Sequence, residues 1–201
     1  MNTALIIFIK NPIRGKVKTR LAETLGADKA FEIYTELIRH TNTIASGTNC
    51  DKFLFYSDSV EANDEWDNTQ FKKHSQYQAD TDLGKRMFEA FKLVFEQGYK
   101  KAVIIGGDCP ELSSEHIEQA FSLLDNNNCV LGPANDGGYY LLGMNSLYPN
   151  FFTHKKWGTD SVIQDTINDI KTQGLTYYLL EELIDVDTEA DYLQVKAKAV
   201  R

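Results

Sequence analysis

The sequence has no apolar run near the roughly 18–20 residues needed to cross a bilayer, so no membrane span is expected. The short apolar run that ends at Ile9 has no basic segment before it and no small-residue cleavage site after it. A secretory leader needs both, and the cytoplasm is therefore the expected compartment. Cysteine is scarce: Cys50, Cys109 and Cys129 are odd in number, far apart and without a CxxC pair. That excludes a disulfide framework or a cysteine zinc site and fits a reducing compartment. Positive charge is also in deficit, with 21 Lys and Arg against 29 Asp and Glu, a net charge of −8. An acidic surface repels nucleic acid and anionic membranes, so neither is an expected partner. The histidines (His40, His74, His116 and His154) show no metal-ligand spacing. No repeat, low-complexity tract or interdomain linker interrupts the chain, and 201 residues suit one domain spanning 1–201.

What is present alternates short apolar runs with segments of helical period. Thr3–Ile9 reads as a fully buried strand. Ala30, Phe31, Tyr34, Leu37, Ile38, Thr41 and Ala45 recur every three or four residues and predict an amphipathic helix over 27–46. Lys52–Ser57 predicts a second strand, His74–Gln78 a third, and Leu83 to Phe95 mark a helix over 82–97 with Gly98 closing it. Ala102–Ile105, bounded by Gly106 and Gly107, reads as a central strand. Ser113 is placed to cap a helix running to Leu124, with Glu115 in its first turn. Strands at Val130-Leu131 and Tyr139–Leu142, a helix over 160–173, a strand at Thr176–Leu180 and a helix over 189–199 follow. Such alternation predicts an α/β fold, a mostly parallel sheet with helices on both faces. Ligands of open α/β sheets bind beyond the carboxyl ends of the strands, so the chemistry is expected there.

Four segments at those ends carry unusual residues. Lys10, Arg14, Lys16, Lys18 and Arg20 put five cations within eleven positions directly after the first strand, in an otherwise acidic chain. Pro12 and Gly15 turn the backbone tightly, and helix amides near Thr19 add a nest for phosphate. Such cations would neutralise a diphosphate and stabilise it as a leaving group; a solvated basic loop is the alternative. At the end of the central strand, Asp108 follows Gly106 and Gly107. Magnesium-like cations take one or two protein carboxylates and complete their shell with phosphate and water, a role that suits Asp108, as does a turn or cap before Pro110.

The run Leu131–Gly143 holds four glycines and a proline, where a ligand can approach the backbone closely. Asp136 is a candidate base or ligand for an acceptor hydroxyl, Gly137 and Gly138 line the approach, and Tyr139 is a candidate sugar-stacking ring. A purely structural hairpin fits the same residues. In Asp185–Asp191, Asp187, ahead of Asp185, is a candidate second metal ligand, and Asp187 or Thr188 also suits an N-cap. Arg86, where the Gln78–Met87 segment enters a helix, would help organise the site. Trp157 would wall an acceptor pocket, with core packing as its alternative.

Taken in order, FIKNPIRGKVKTRLA at 8–22, DLGKRMFEAF at 82–91, IGGDCPEL at 105–112, LGPANDGGYYLLG at 131–143 and DVDTEADY at 185–192 resemble a bacterial GT-A-type glycosyltransferase-like family. That family was catalogued as a domain of unknown function, DUF2064, and is linked by annotation to arsenosugar biosynthesis. The resemblance implies a single Rossmann-like domain of the nucleotide-diphospho-sugar transferase superfamily. It implies a divalent metal, magnesium or manganese, and a nucleotide bound over the first strand's loop. On that likeness Arg14, Lys18 and Arg20 face phosphate, Asp108 holds the metal, and Asp136–Tyr139 form the acceptor-side loop. Asp136 and Lys18 are the candidate catalytic residues. The glycosyltransferase DxD motif is absent, since 106–108 reads Gly-Gly-Asp. The basic loop is also similar to that of phospholactate guanylyltransferases, while the GxGxRM loop of sugar-nucleotide pyrophosphorylases is missing. The expected activity is glycosyl transfer from a nucleotide-sugar to a small acceptor. The alternatives are nucleotidyl transfer from a nucleoside triphosphate and a non-catalytic nucleotide-binding module. The residues give no sign of an oligomeric state.

Overall fold

Strands apolar on both faces have no side to give to water, so helices must cover the sheet twice. The computed structural model describes residues 2–76 and 82–199, and it has this arrangement. The elements run β1 (Thr3–Ile9), α1 (Thr19–Ser46), β2 (Asp51–Tyr56), β3 (Phe71–Ser75), α2 (Leu83–Glu96), β4 (Lys101–Ile105) and α3 (Ser114–Leu123). They continue through β5 (Cys129–Pro133), β6 (Tyr139–Met144), α4 (Val162–Thr172), β7 (Tyr177–Leu179) and α5 (Glu189–Ala199), with a 3₁₀ turn at Pro149–Phe152 before α4. The seven strands form one sheet in the order β3-β2-β1-β4-β6-β5-β7. Four of its six pairings are parallel, and β6 runs antiparallel to both β4 and β5.

The alternation of β1 divides the core. Leu5, Ile7 and Ile9 pack in one layer with Tyr34 and Ile38 of α1 and with Ile117 and Phe121 of α3. Ala4 and Ile6 pack in the other with Met87, Phe91 and Val94 of α2 and with Ile167 and Ile170 of α4. Tyr192 and Val195 of α5 close over Leu21, Ile33 and Val186. Among the described residues no helix is long and apolar enough to cross a membrane.

Several boundaries differ from the sequence expectation, each for a local reason. The helix expected over 27–46 begins at Thr19; Gly26, at φ 81° and ψ 158°, interrupts it and separates a short first segment from the periodic remainder. The third strand is Phe71–Ser75 rather than His74–Gln78, because Phe71 buries against Trp66 and the strand pairs with β2 from Lys52↔Phe71. Tyr77 and Gln78 lie outside the described residues, as do residues 79–81. The α2 C-cap is Gln97, with Gly98 in the left-handed region one residue beyond. Helix α4 starts at Val162. Thr188, not Asp187, caps α5: its hydroxyl accepts from Asp191 N while the Asp191 carboxylate accepts from Thr188 N.

After β1 the chain winds outward through β2 and β3, then returns to place β4 on the other side of β1. Connections leaving β1 and β4 therefore diverge and open a crevice at their carboxyl ends, the place where such sheets bind ligands.

Candidate functional site

A cavity of about 480 Å³ opens at that crevice. The loops after β1 and β4 form one wall, the β5–β6 turn and the 185–187 segment a second, and the first turn of α2 with Trp157 a third.

The loop after β1 is held by groups remote in sequence. The Tyr34 hydroxyl donates to Lys10 O (2.7 Å) and accepts from Lys10 N (2.9 Å). Buried Asn11 donates through Nδ2 to Ser59 O and accepts through Oδ1 from Asp58 N. Tyr34 entered the sequence reading only as one residue of an apolar helix face; a hydroxyl on that face, one residue type out of pattern, was the available signal. The loop ends at Lys18, which begins α1 in the left-handed region at φ 46° and ψ 49°, a conformation that costs a non-glycine residue roughly 1–2 kcal/mol.

That backbone turns Lys18 inward. Its ammonium lies 2.9 Å from Asp108 Oδ2 and 2.9 Å from Asp187 Oδ1, with its side chain 5% exposed. Burial alone would depress the ammonium; Asp108 and Asp187 outweigh it and hold Lys18 well above the ordinary lysine range. Burial likewise pushes Asp187 up, but the charge and hydrogen bond of Lys18, with Arg20 and Lys10, pull it below the ordinary carboxylate range. The 185–187 segment reaches this point because Val186 N donates to Asp108 O (3.0 Å), locking it to the β4 loop. Asp185, placed behind Asp187 in the sequence reading, also lines the cavity. Its Oδ1 is buried without a partner, and burial, then the nearby Asp108, raise its carboxyl well above the usual range against the pull of Lys18.

The two glycines before Asp108 leave room for this cluster. A Cβ at Gly106 would stand 2.7 Å from Asp108 Oδ1, and one at Gly107 would stand 2.7 Å from Ile38. An acidic residue at 106 would occupy the space of the Asp108 carboxylate, so the second carboxylate comes across the sheet edge from Asp187. Among the described residues no three histidine, cysteine or acidic side chains already stand in metal-ligand geometry. Two carboxylates, with a third behind them, is the donor set of a hard cation that leaves its other positions to phosphate and water.

The remaining basic residues divide. Lys10 lines the cavity, and exposed Arg20 sits 3.7 Å from Asp187 Oδ2. Arg14 is exposed and paired with Asp28 of α1, outside the cavity lining. Asn135–Gly138 do form a hairpin turn, in which Asp136 Oδ1 accepts from Gly138 N (2.8 Å); Asp136 and Gly138 nevertheless line the cavity. Gly137, at φ 85°, lies so close to the Asp160 backbone that a Cβ has no room there, and its carbonyl accepts from Ile163 N (3.0 Å). Tyr139 also lines the cavity, its hydroxyl directed at Met87 Sδ (3.8 Å). Trp157 lies on the first turn of α2, where a Gly84 Cβ would be 2.5 Å from its ring. Arg86 Nη1 donates to Gln76 Oε1 (2.9 Å). Gln76, which the sequence reading missed, is buried and donates through Nε2 to Ile9 O and Phe55 O (3.3 Å each), across the ends of β1 and β2.

A seven-stranded, mostly parallel sheet with cations after β1 and an aspartate after β4 defines an α/β fold of the nucleotide-diphospho-sugar transferase and nucleotidyltransferase kind. Within it, the chain belongs to the family described as "Uncharacterized protein conserved in bacteria (DUF2064)", whose model matches residues 40–159. The crystal structure of a putative nucleotide-diphospho-sugar transferase from Desulfovibrio desulfuricans G20 superposes with a TM-score of 0.85 and 32% identity, covering 93% of this chain and 83% of that one. A 2-phospho-L-lactate guanylyltransferase from Methanocaldococcus sp. (strain FS406-22) is 24% identical over 178 residues, 87% of this chain and 74% of the relative. A manganese complex of Rv0371c from Mycobacterium tuberculosis H37Rv matches over 96% of this chain and 97% of that one (TM-score 0.57, 13% identity), a likeness of fold alone.

Proposed function

We propose that the protein transfers a glycosyl group from a nucleotide-sugar to a small acceptor. The observation that carries this reading is Lys18, whose ammonium is shared by Asp108 and Asp187 at the β1–β4 crevice. The described residues give these oxygens too few partners: Asp108 and Asp187 share the Lys18 ammonium, and Asp185 Oδ1 has none. A divalent cation, magnesium or manganese, fits that deficit, with Asp108 and Asp187 as its protein ligands. The manganese complex among the fold relatives supports this choice. When bound, such a cation neutralises the diphosphate and eases its departure.

The protein's own groups do the rest. Lys10 and Lys18, with Arg20 at the rim, bind phosphate oxygens and stabilise the charge that grows on the leaving diphosphate. Gly106 and Gly107 let the donor approach the end of β4. Asp136, with one oxygen fixed by Gly138 N, orients the acceptor hydroxyl and takes its proton at the other oxygen. Tyr139 and Trp157 wall the acceptor side and exclude water.

The test is release of nucleoside diphosphate from a panel of nucleotide-sugars with magnesium or manganese. Turnover by the wild type that falls at least about 100-fold in Asp108→Ala supports the reading, and unchanged turnover in the variant sinks it. A second reading, nucleotidyl transfer, is favoured by the likeness to the guanylyltransferase across 87% of the chain. Pyrophosphate release from GTP or CTP, without reaction on any nucleotide-sugar, would select it.

A further inference from the structure

Among the described residues only three buried side-chain nitrogen or oxygen atoms lack a hydrogen-bond partner: Arg86 Nε, Trp157 Nε1 and Asp185 Oδ1. All three residues line the same cavity. Native proteins pair nearly all buried polar atoms, so orphans gathered around one space point to what fills it. Asp185 belongs to the carboxylate cluster. The other two are donors only, and their residues meet around the first turn of α2.

Arg86 is held there by an amide instead of an acid. Gln76 spends its nitrogen on the strand-end carbonyls and offers its oxygen to Arg86 Nη1, which fixes the guanidinium without neutralising it. No salt bridge to Arg86 occurs among the described residues. The Asp82 carboxylate, two residues from Gly84, is engaged in capping α2 through Gly84 N and Lys85 N. Burial lowers the affinity of Arg86 for its proton and Asp82 opposes this, but a guanidinium stays charged at any physiological pH. Trp157 lies over the same turn, stopped by the bare Cα of Gly84. The acceptor-side turn packs next to it through the Gly137–Asp160 contact and the Ile163 N to Gly137 O bond.

We propose that Arg86 and Trp157 form an anion subsite and that the acceptor carries a carboxylate or phosphate that docks on it. Assigning the anion to the acceptor rests on the transferase reading above; the subsite itself does not. A planar fork with a free Nε–H, on the same cavity as an unpartnered indole N–H, matches the oxygens of such a group. A neutral acceptor would leave both donors unpaired beside a half-buried charge, so Arg86 selects against it.

The subsite can be read directly, without nucleotide or metal, from the indole N–H resonances in a ¹⁵N–¹H spectrum. The chain has two tryptophans, and Trp66, buried in the core layer of α1 and α3, is an internal reference. Titration with inorganic phosphate or with malonate should move the Trp157 signal saturably and leave Trp66 still. A response to phosphate alone assigns a phosphorylated acceptor, and a response to malonate alone a carboxylate. Arg86→Gln should weaken the response at least about tenfold. Arg86→Lys, which keeps the charge but loses the fork, should fall between the two and serves if the first variant does not fold. A Trp157 signal that ignores both anions, that moves equally with glycerol, or that responds with unchanged affinity in the Arg86 variants would overturn the proposal. Failure of the turnover assay would not, since no step of transfer enters the measurement.

Discussion

At Lys18 two costs meet: a left-handed backbone and an ammonium withdrawn from water. Both are met by Asp108, 90 residues away, and Asp187, 169 residues away. Lys18→Met keeps the stem and removes the charge, leaving two carboxylates facing each other. Because those carboxylates are 39% and 45% exposed, water relieves part of the penalty, and the expected loss is about 1–3 kcal/mol. Urea unfolding at neutral pH measures it. Adding Asp187→Asn to Lys18→Met should recover part of the loss, because it removes the repulsion that the first change exposes. The presence of a phosphate-facing cation after β1 was legible in the run from Lys10 to Arg20. Which cation turns inward was not: Arg14, with the same charge and spacing, pairs with Asp28 on the surface instead.

Elements were legible where one face is buried and the period is regular. The last helix begins and ends where the sequence expectation puts it, and Ser113 caps α3 as its position suggests, with His116 completing a reciprocal capping box. The edge strand β3 was misread by three residues, since FKKHS has no alternation strong enough to set its register, and pairing with β2 decides it. His74 in this strand stacks on Phe53 and Phe55 with ring centroids 5.9 and 5.0 Å apart. Burial, and then the charge of Lys72, hold its imidazole below the ordinary value of about 6.5. The unfolded chain therefore binds the proton more readily than the folded one. Stability from this site is complete above about pH 6.5 and declines as the pH falls from there toward the folded value. Urea midpoints at pH 7 and pH 5 should show the decline, and His74→Phe, which keeps the stack, should flatten it in that window. An unchanged slope in the variant would move the cause elsewhere.

For the whole molecule, the crevice couples stability to ligand. A ligand present at a hundred times its dissociation constant adds about 2.7 kcal/mol, which for a chain of this length raises Tm by roughly 5–10 °C. The best nucleoside diphosphate of a panel, given with manganese, should produce a rise of that size. EDTA should remove most of it; a rise untouched by EDTA would take the cation out of the site. The sequence by itself determined the alternation of strand and helix, the covering of the sheet on both faces, and the placing of cations and acids at strand ends. These follow from periodicity and composition, which report local burial. Only the tertiary structure decided that β6 runs antiparallel between β4 and β5, that Val186 is locked to Asp108, and that Gln76 crosses two strand ends to hold Arg86. Such partners are chosen by how crossovers pack against the sheet, and contacts across tens of residues leave no period in the chain for a sequence to display.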